Sequence, residues 1–160
     1  MKVSNEDILE YIWDETLNKI AINSLVKYMG DEVGTYSDND AAERADNFAC
    51  LNISSLAAGS GLSYNQFRIR IQRMIVKGDL RKFIRSTSFV INSDLLEEVA
   101  IYAAQCWRSI GVPFGMNENR TSCNTLHINA LPRSIFELTT NCYLILRTKY
   151  PTYHRGYMTK

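Results

Sequence analysis

The 160-residue sequence predicts a mainly α, α+β protein. Three observations lead there. Apolar residues recur at three- and four-residue spacing through most of the chain, as one-sided helices require. Strand character is confined to "LRKFIRSTSFVIN" at 80–92, which is short and rich in β-branched and aromatic residues. Cap and stop residues (Ser, Asp, Gly, Pro) fall at the edges of the periodic runs. A chain of this length, 46% hydrophobic and 22% charged, buries a core without metal or disulfide support.

The elements follow in order. Residues 4–29 predict a long helix or two abutting ones. Ser4 with Asp7 makes a capping box, Ile8, Leu9, Ile12, Trp13, Leu17, Ile20, Leu25 and Met29 share its apolar side, and Gly30 stops it. "DEVGTYSDND" at 31–40 reads as a solvated loop. Asp40 would cap a helix over 41–51 with Ala45, Phe48 and Ala49 inward. Ser54 would cap a short helix over 54–60, and "SGLS" is a tight turn. Ser63 caps the next helix, 64–77, and Gly78 ends it in the left-handed position. Two strands, 80–84 and 89–91, flank a polar turn at Ser86–Ser88.

Beyond the strands, Ser93 would cap a helix over 94–110, buried through Leu95, Leu96, Val99, Tyr102, Ala103, Cys106, Trp107 and Ile110. Gly111 and Pro113 end it. Residues 111–124 read as a loop, and Pro132 suits the first turn of a last helix to about 148. That helix has Ile135, Phe136, Cys142, Ile145 and Leu146 as its apolar positions, and Pro151 stops it. The final ten residues read as a mobile basic, aromatic tail. The organisation expected is thus a helical segment and acidic loop at 1–39, a unit of helices and a hairpin at 40–92, C-terminal helices at 93–150 and the tail at 151–160.

Charge is unevenly spread. The net +1 hides eleven acids and four bases in residues 1–63, against six acids and fourteen bases in 64–160. Residues 64–85 alone hold seven bases and one acid, Asp79. Such a split points to one part facing a polyanion and another facing elsewhere. The start of the chain is acidic and lacks an apolar leader, and no apolar run approaches a membrane span. Cys50, Cys106, Cys123 and Cys142 are far apart. They read as reduced thiols of a cytoplasmic protein.

The order helix, helix, tight turn, helix, hairpin outlines a winged helix-turn-helix. "SSLAAGSGLSYNQFRIRIQRMIVKGDLRKF", residues 54–83, resembles the bacterial winged-helix regulators typified by the multiple-antibiotic-resistance repressor family. Leu56 and Ala57 stand in its first helix, Gly61 and Leu62 at its turn, Ser63 at its next cap, and Gly78 and Leu80 at its exit into the wing. Ser60 and Arg70 depart from the pattern, where such regulators carry apolar residues. The resemblance spans residues 54–91 and implies a transcriptional regulator of bacterial, plasmid or phage type.

On a wheel for 64–77, Phe67, Ile71, Met74 and Ile75 face the core. Asn65, Arg68 and Gln72 share a second side, and their amide and guanidinium groups are the types that read adenine and guanine edges. Arg70, Arg73 and Lys77 form a third stripe suited to backbone phosphates. Ser63 and Tyr64 at the helix start, and Arg81, Lys82 and Arg85 on the wing, complete the expected phosphate contacts to double-stranded DNA. Ile69 and Val76 fall near the reading side; they would touch thymine methyl groups or mark a partner surface.

Other functions find less support. No P-loop, dinucleotide fingerprint, H-E-x-x-H or G-x-S-x-G is present, so no catalytic residue or cofactor is expected. Cys123 and His127 have C-x3-H spacing, but Cys106 and Cys142, needed to complete a zinc set, fit helix cores instead. No metal site is expected. The flanking helices suggest a homodimer, with two reading helices about 34 Å apart on a palindromic site. The acidic N-terminal half would face away from DNA and meet a protein partner. The alternatives are a winged helix that grips another protein, such as a phage-encoded inhibitor of a host machine, and a replication-initiation DNA-binding protein.

Overall fold

The computed structural model describes residues 3–30, 36–83, 85–110 and 133–156. The architecture is mainly helical with one small antiparallel sheet. The first helix, α1 (Asn5–Gly30), is its axis. Its capping box forms as the sequence implies: Asp7 N–H donates to Ser4 Oγ at 3.1 Å, and Ser4 N–H donates to Asp7 Oδ2 at 3.1 Å. Trp13, Leu17, Ile20 and Ala21 are fully buried. Two polar residues lie in the same core without cost, because each has a partner. Thr16 Oγ1 donates back to Ile12 O, and Ser24 Oγ meets Tyr36 Oη at 3.0 Å.

The reading of 31–40 as a loop is corrected from Asp38 onward; residues 31–35 lie outside the described residues. Helix α2 (Asp38–Glu43) starts at Ser37, which caps it, while Asp40 closes the capping box from the third helical position. The chain turns at Arg44 and continues as α3 (Ala45–Ala49), so the single helix expected over 41–51 is two short ones. Tyr36 is buried, and its carbonyl accepts from Arg108, whose other arm pairs with Asp38. A segment that reads as solvated thus packs on the sixth helix, α6 (Leu96–Ile110).

A strand absent from the sequence reading follows: β1 (Leu51–Asn52). Two residues are too few to show alternation. Asn52 then caps α4 (Ile53–Ala57), its Oδ1 accepting from Ser54 N–H at 2.8 Å, so Ser54 is not the cap. A turn through Gly61, at φ 79°, leads to α5 (Tyr64–Lys77), with the bounds and the Ser63 cap that the sequence implies. Gly78 takes φ 91° and closes α5. Strand β2 (Leu80–Phe83) pairs with β3 (Arg85–Ile91) through Leu80↔Ile91, Arg81↔Val90 and Lys82↔Phe89. The register shifts between Lys82 and Phe83, and β3 contains the Ser86–Ser88 segment expected to be a turn. Leu51↔Phe89 places β1 on the other side of β3, giving the order β1-β3-β2. Phe89, Val90 and Ile91 of the central strand are fully buried.

Helix α6 begins two residues later than expected, after Ser93 Oγ accepts from Leu95 N–H at 3.2 Å. Helix α7 (Arg133–Lys149) packs on α1 and α6 through Ile135, Cys142 and Leu146. Phe136 and Ile145, apolar by sequence, point to solvent. The buried residues of all these elements form one core cluster.

Residues 151–156 of the expected mobile tail are instead docked on the core, following Tyr150. Trp13 Nε1 donates to Tyr150 O at 2.9 Å, and the Tyr153 ring sits 6.1 Å from that of Trp13. Tyr153 Oη donates to Asn92 O at 2.9 Å, as does Gly156 N–H at 2.9 Å. Arg155 pairs with the buried Asp79 at 3.4 Å and donates to Lys77 O at 3.0 Å. Aromatic burial and these bonds offset the entropy of ordering the segment.

Candidate nucleic-acid interface

Helix α5 presents the site because its apolar side is narrow. Phe67, Ile71 and Met74 are buried and Ile75 is half-buried, while the rest of the helix meets solvent. Its start is secured by a reciprocal cap: Gln66 N–H donates to Ser63 Oγ at 3.2 Å, and Ser63 N–H donates to Gln66 Oε1 at 3.0 Å. Its end is held by Asn92, whose Nδ2 donates to Gly78 O at 2.8 Å. Behind it, Tyr11 Oη donates to Leu56 O at 2.7 Å and ties α4 to α1. A helix supported at both ends projects its outer side chains from a rigid base.

The outer side differs in detail from the three stripes expected. At about 100° per residue, Asn65, Ile69, Gln72 and Val76 fall within about 60° of one another, opposite the buried trio. All four are exposed, Val76 at 89% and Ile69 at 38%. Arg68 flanks this arc on one side and Arg73 on the other. Arg68 is half-buried and its Nη1 reaches Gln72 Oε1 at 3.4 Å. A shallow groove of about 320 Å³ is lined by Ile69, Gln72, Arg73 and Val76. A second of about 280 Å³ runs beside it, lined by Leu62, Gln66, Ile69, Arg70 and Arg73.

The remaining basic residues divide into two sets. Arg73, Lys77 and Lys82 are exposed, as are Ser63 and Tyr64 at the helix start. Arg70, half-buried, and Arg81, exposed, are engaged by other parts of the chain. Arg70 Nη2 donates to Asn5 Oδ1 at 2.7 Å and to Val3 O at 2.9 Å, fastening α5 to the start of α1. Arg81 makes a two-pronged pair with Asp46, at 2.9 Å and 3.2 Å, fastening β2 to α3. Sequence spacing does not reveal either role, because the partners lie 65 and 35 residues away. The side chain of Arg85 lies outside the described residues.

Among the described residues, no group of three or more His, Cys, Asp or Glu side chains is placed to hold a metal ion. Cys123 and His127 lie outside them. Cys106 and Cys142 adjoin each other between α6 and α7, and burial pushes the Cys142 thiol up to about 12. Such a thiol stays protonated and unreactive at neutral pH. Among the described residues, no helix is long and apolar enough to cross a membrane. No family model matches the chain, and no curated protein or solved structure is significantly similar to it.

Proposed function

We propose that the chain is a sequence-specific, double-stranded DNA-binding transcriptional regulator of bacterial, plasmid or phage type. In this reading residues 40–92 act as a winged helix-turn-helix, α5 enters the major groove and the β2–β3 hairpin is the wing. One observation carries it: the outer arc of α5 combines amide side chains able to read base edges with guanidinium groups on both flanks. Asn65, Arg68 and Gln72 are the base readers. Ser63, Tyr64, Arg73, Lys77 and Lys82 hold phosphates, with Arg85 added from the sequence. Arg70 and Arg81 act chiefly as fasteners of the reading unit. The protein acts in the cytoplasm as a homodimer on a palindromic site, and the reading assigns it no catalytic step.

The test is selection of a random duplex pool by the purified protein at two salt concentrations. The expected result is an enriched palindrome whose log affinity falls with log salt by roughly 0.9 per phosphate neutralised. Arg68→Ala would cost about 1–3 kcal/mol on that site and relax its specificity. Arg73→Ala would weaken all sequences alike. Equal losses from both variants on every duplex would remove the division of roles. The exposure of Ile69 and Val76 favours a second reading, in which the same face grips another protein. Salt-insensitive capture of a partner without any DNA binding would establish it.

A further inference from the structure

The exposed aliphatic residues of α5 remain to be explained. Val76 is 89% exposed and Ile69 38%, and both stand in the arc shared by Asn65 and Gln72. Their separation of seven residues is about 10 Å along the helix. Between them lie Gln72 and Arg73, which line the same groove. A protein-binding hot spot has a contiguous apolar centre from which charge is depleted. Here two isolated apolar contacts are interleaved with an amide and a guanidinium. That mixture matches the floor of a DNA major groove, where the 5-methyl of thymine is the apolar feature among hydrogen-bonding edges.

We propose that Ile69 and Val76 are specificity-determining residues that contact thymine 5-methyl groups. The inference rests on the DNA-binding reading above and names what its site contains. With base pairs stacked at about 3.4 Å, a helix lying along the groove places the two thymines about three base steps apart. Asn65 and Gln72 then meet the base pairs alongside them. Because methyl contact is apolar, this part of the recognition is insensitive to salt, unlike the contacts of Arg73 and Lys77.

The experiment replaces each thymine of the selected duplex, one at a time, by deoxyuridine. That change removes the methyl and leaves every hydrogen-bonding group in place. At two positions about three steps apart, affinity is expected to fall roughly fourfold, the effect of one lost apolar carbon. The loss at one position should vanish in Ile69→Ala and at the other in Val76→Ala. Both side chains are exposed, so the variants keep the fold. If the protein selects a duplex but no deoxyuridine position matters, the inference is overturned and the DNA-binding reading stands. If no duplex is selected at all, both fall together. Losses that persist unchanged in both variants would also overturn it, by assigning the methyl contact to other residues.

Discussion

Arg70 illustrates how one side chain changes meaning between sequence and structure. By spacing it belongs with Arg73 and Lys77, yet its Nε and Nη2 donate to Asn5 Oδ1 and Val3 O. Arg70→Ala is therefore expected to lower stability by about 1–2 kcal/mol in urea denaturation, the loss of charge-assisted hydrogen bonds. Under the proposed function, it should reduce the salt slope of DNA binding less than Arg73→Ala does. Gly78, by contrast, has its identity dictated locally. At φ 91° a side chain is strained, so Gly78→Ala should cost about 1–2 kcal/mol in the same measurement.

At the scale of elements, the tail is the part whose behaviour departs most from its composition. Residues 150–156 link α1, through Trp13, to the turn that ends α5, through Asn92 and Asp79. The segment thereby connects α5 to α1. Tyr153→Phe removes the bond to Asn92 O and should cost about 0.5–1.5 kcal/mol. The same phenol makes the contact sensitive to alkali. Burial, with Asp79 nearby, pushes its pKa up to about 12, from an unfolded value near 10. A raised folded pKa means that stability is complete below about pH 10 and is lost as the pH rises toward 12. Burial and the bond to Asp14 place Tyr143 in the same window, also up to about 12. An ultraviolet titration should show both phenols ionising late, together with loss of Trp13 fluorescence from its native value. Normal ionisation near pH 10 with the fold intact would contradict a docked tail.

For the whole molecule, α1 is the common support. It packs against α3, α6 and α7, its Tyr11 and Asn5 hold α4 and α5, and Val3 just before it also accepts from Arg70. Trp13 is fully buried and bonded to the tail, so Trp13→Ala should cost about 3–5 kcal/mol. It should disorder α5 along with the core, which circular dichroism and, under the proposed function, DNA affinity would register together. The acidic helix α2 is tied to α6 by Asp38 and Arg108, and the bond to that guanidinium holds the Asp38 carboxyl below its usual 3.8. Its contribution is present above that pH and fades as the pH falls below it. The fastening of α2 is therefore expected to weaken in acid.

Much of the fold was legible because it is written in short-range chemistry. The Ser4 and Ser63 capping boxes, the span of α5 and its Gly78 stop follow from residues within one or two turns. The buried sides of α1 and α6 follow from helical periodicity. What depends on distant pairing was not legible. Strand β1 exists only because β3 offers it a ladder, the break at Arg44 yields two helices from one apolar pattern, and the docked tail needs Trp13 and Asn92 to be in place. The candidate site divides the same way. Sequence alone determined that a capped, strongly basic helix stands after a tight turn, because caps, turns and charge are local. Only the tertiary structure decided which of its cations reach solvent and that Ile69 and Val76 lead its outer face. Exposure is set by what the rest of the chain folds against each side, and no local pattern contains that.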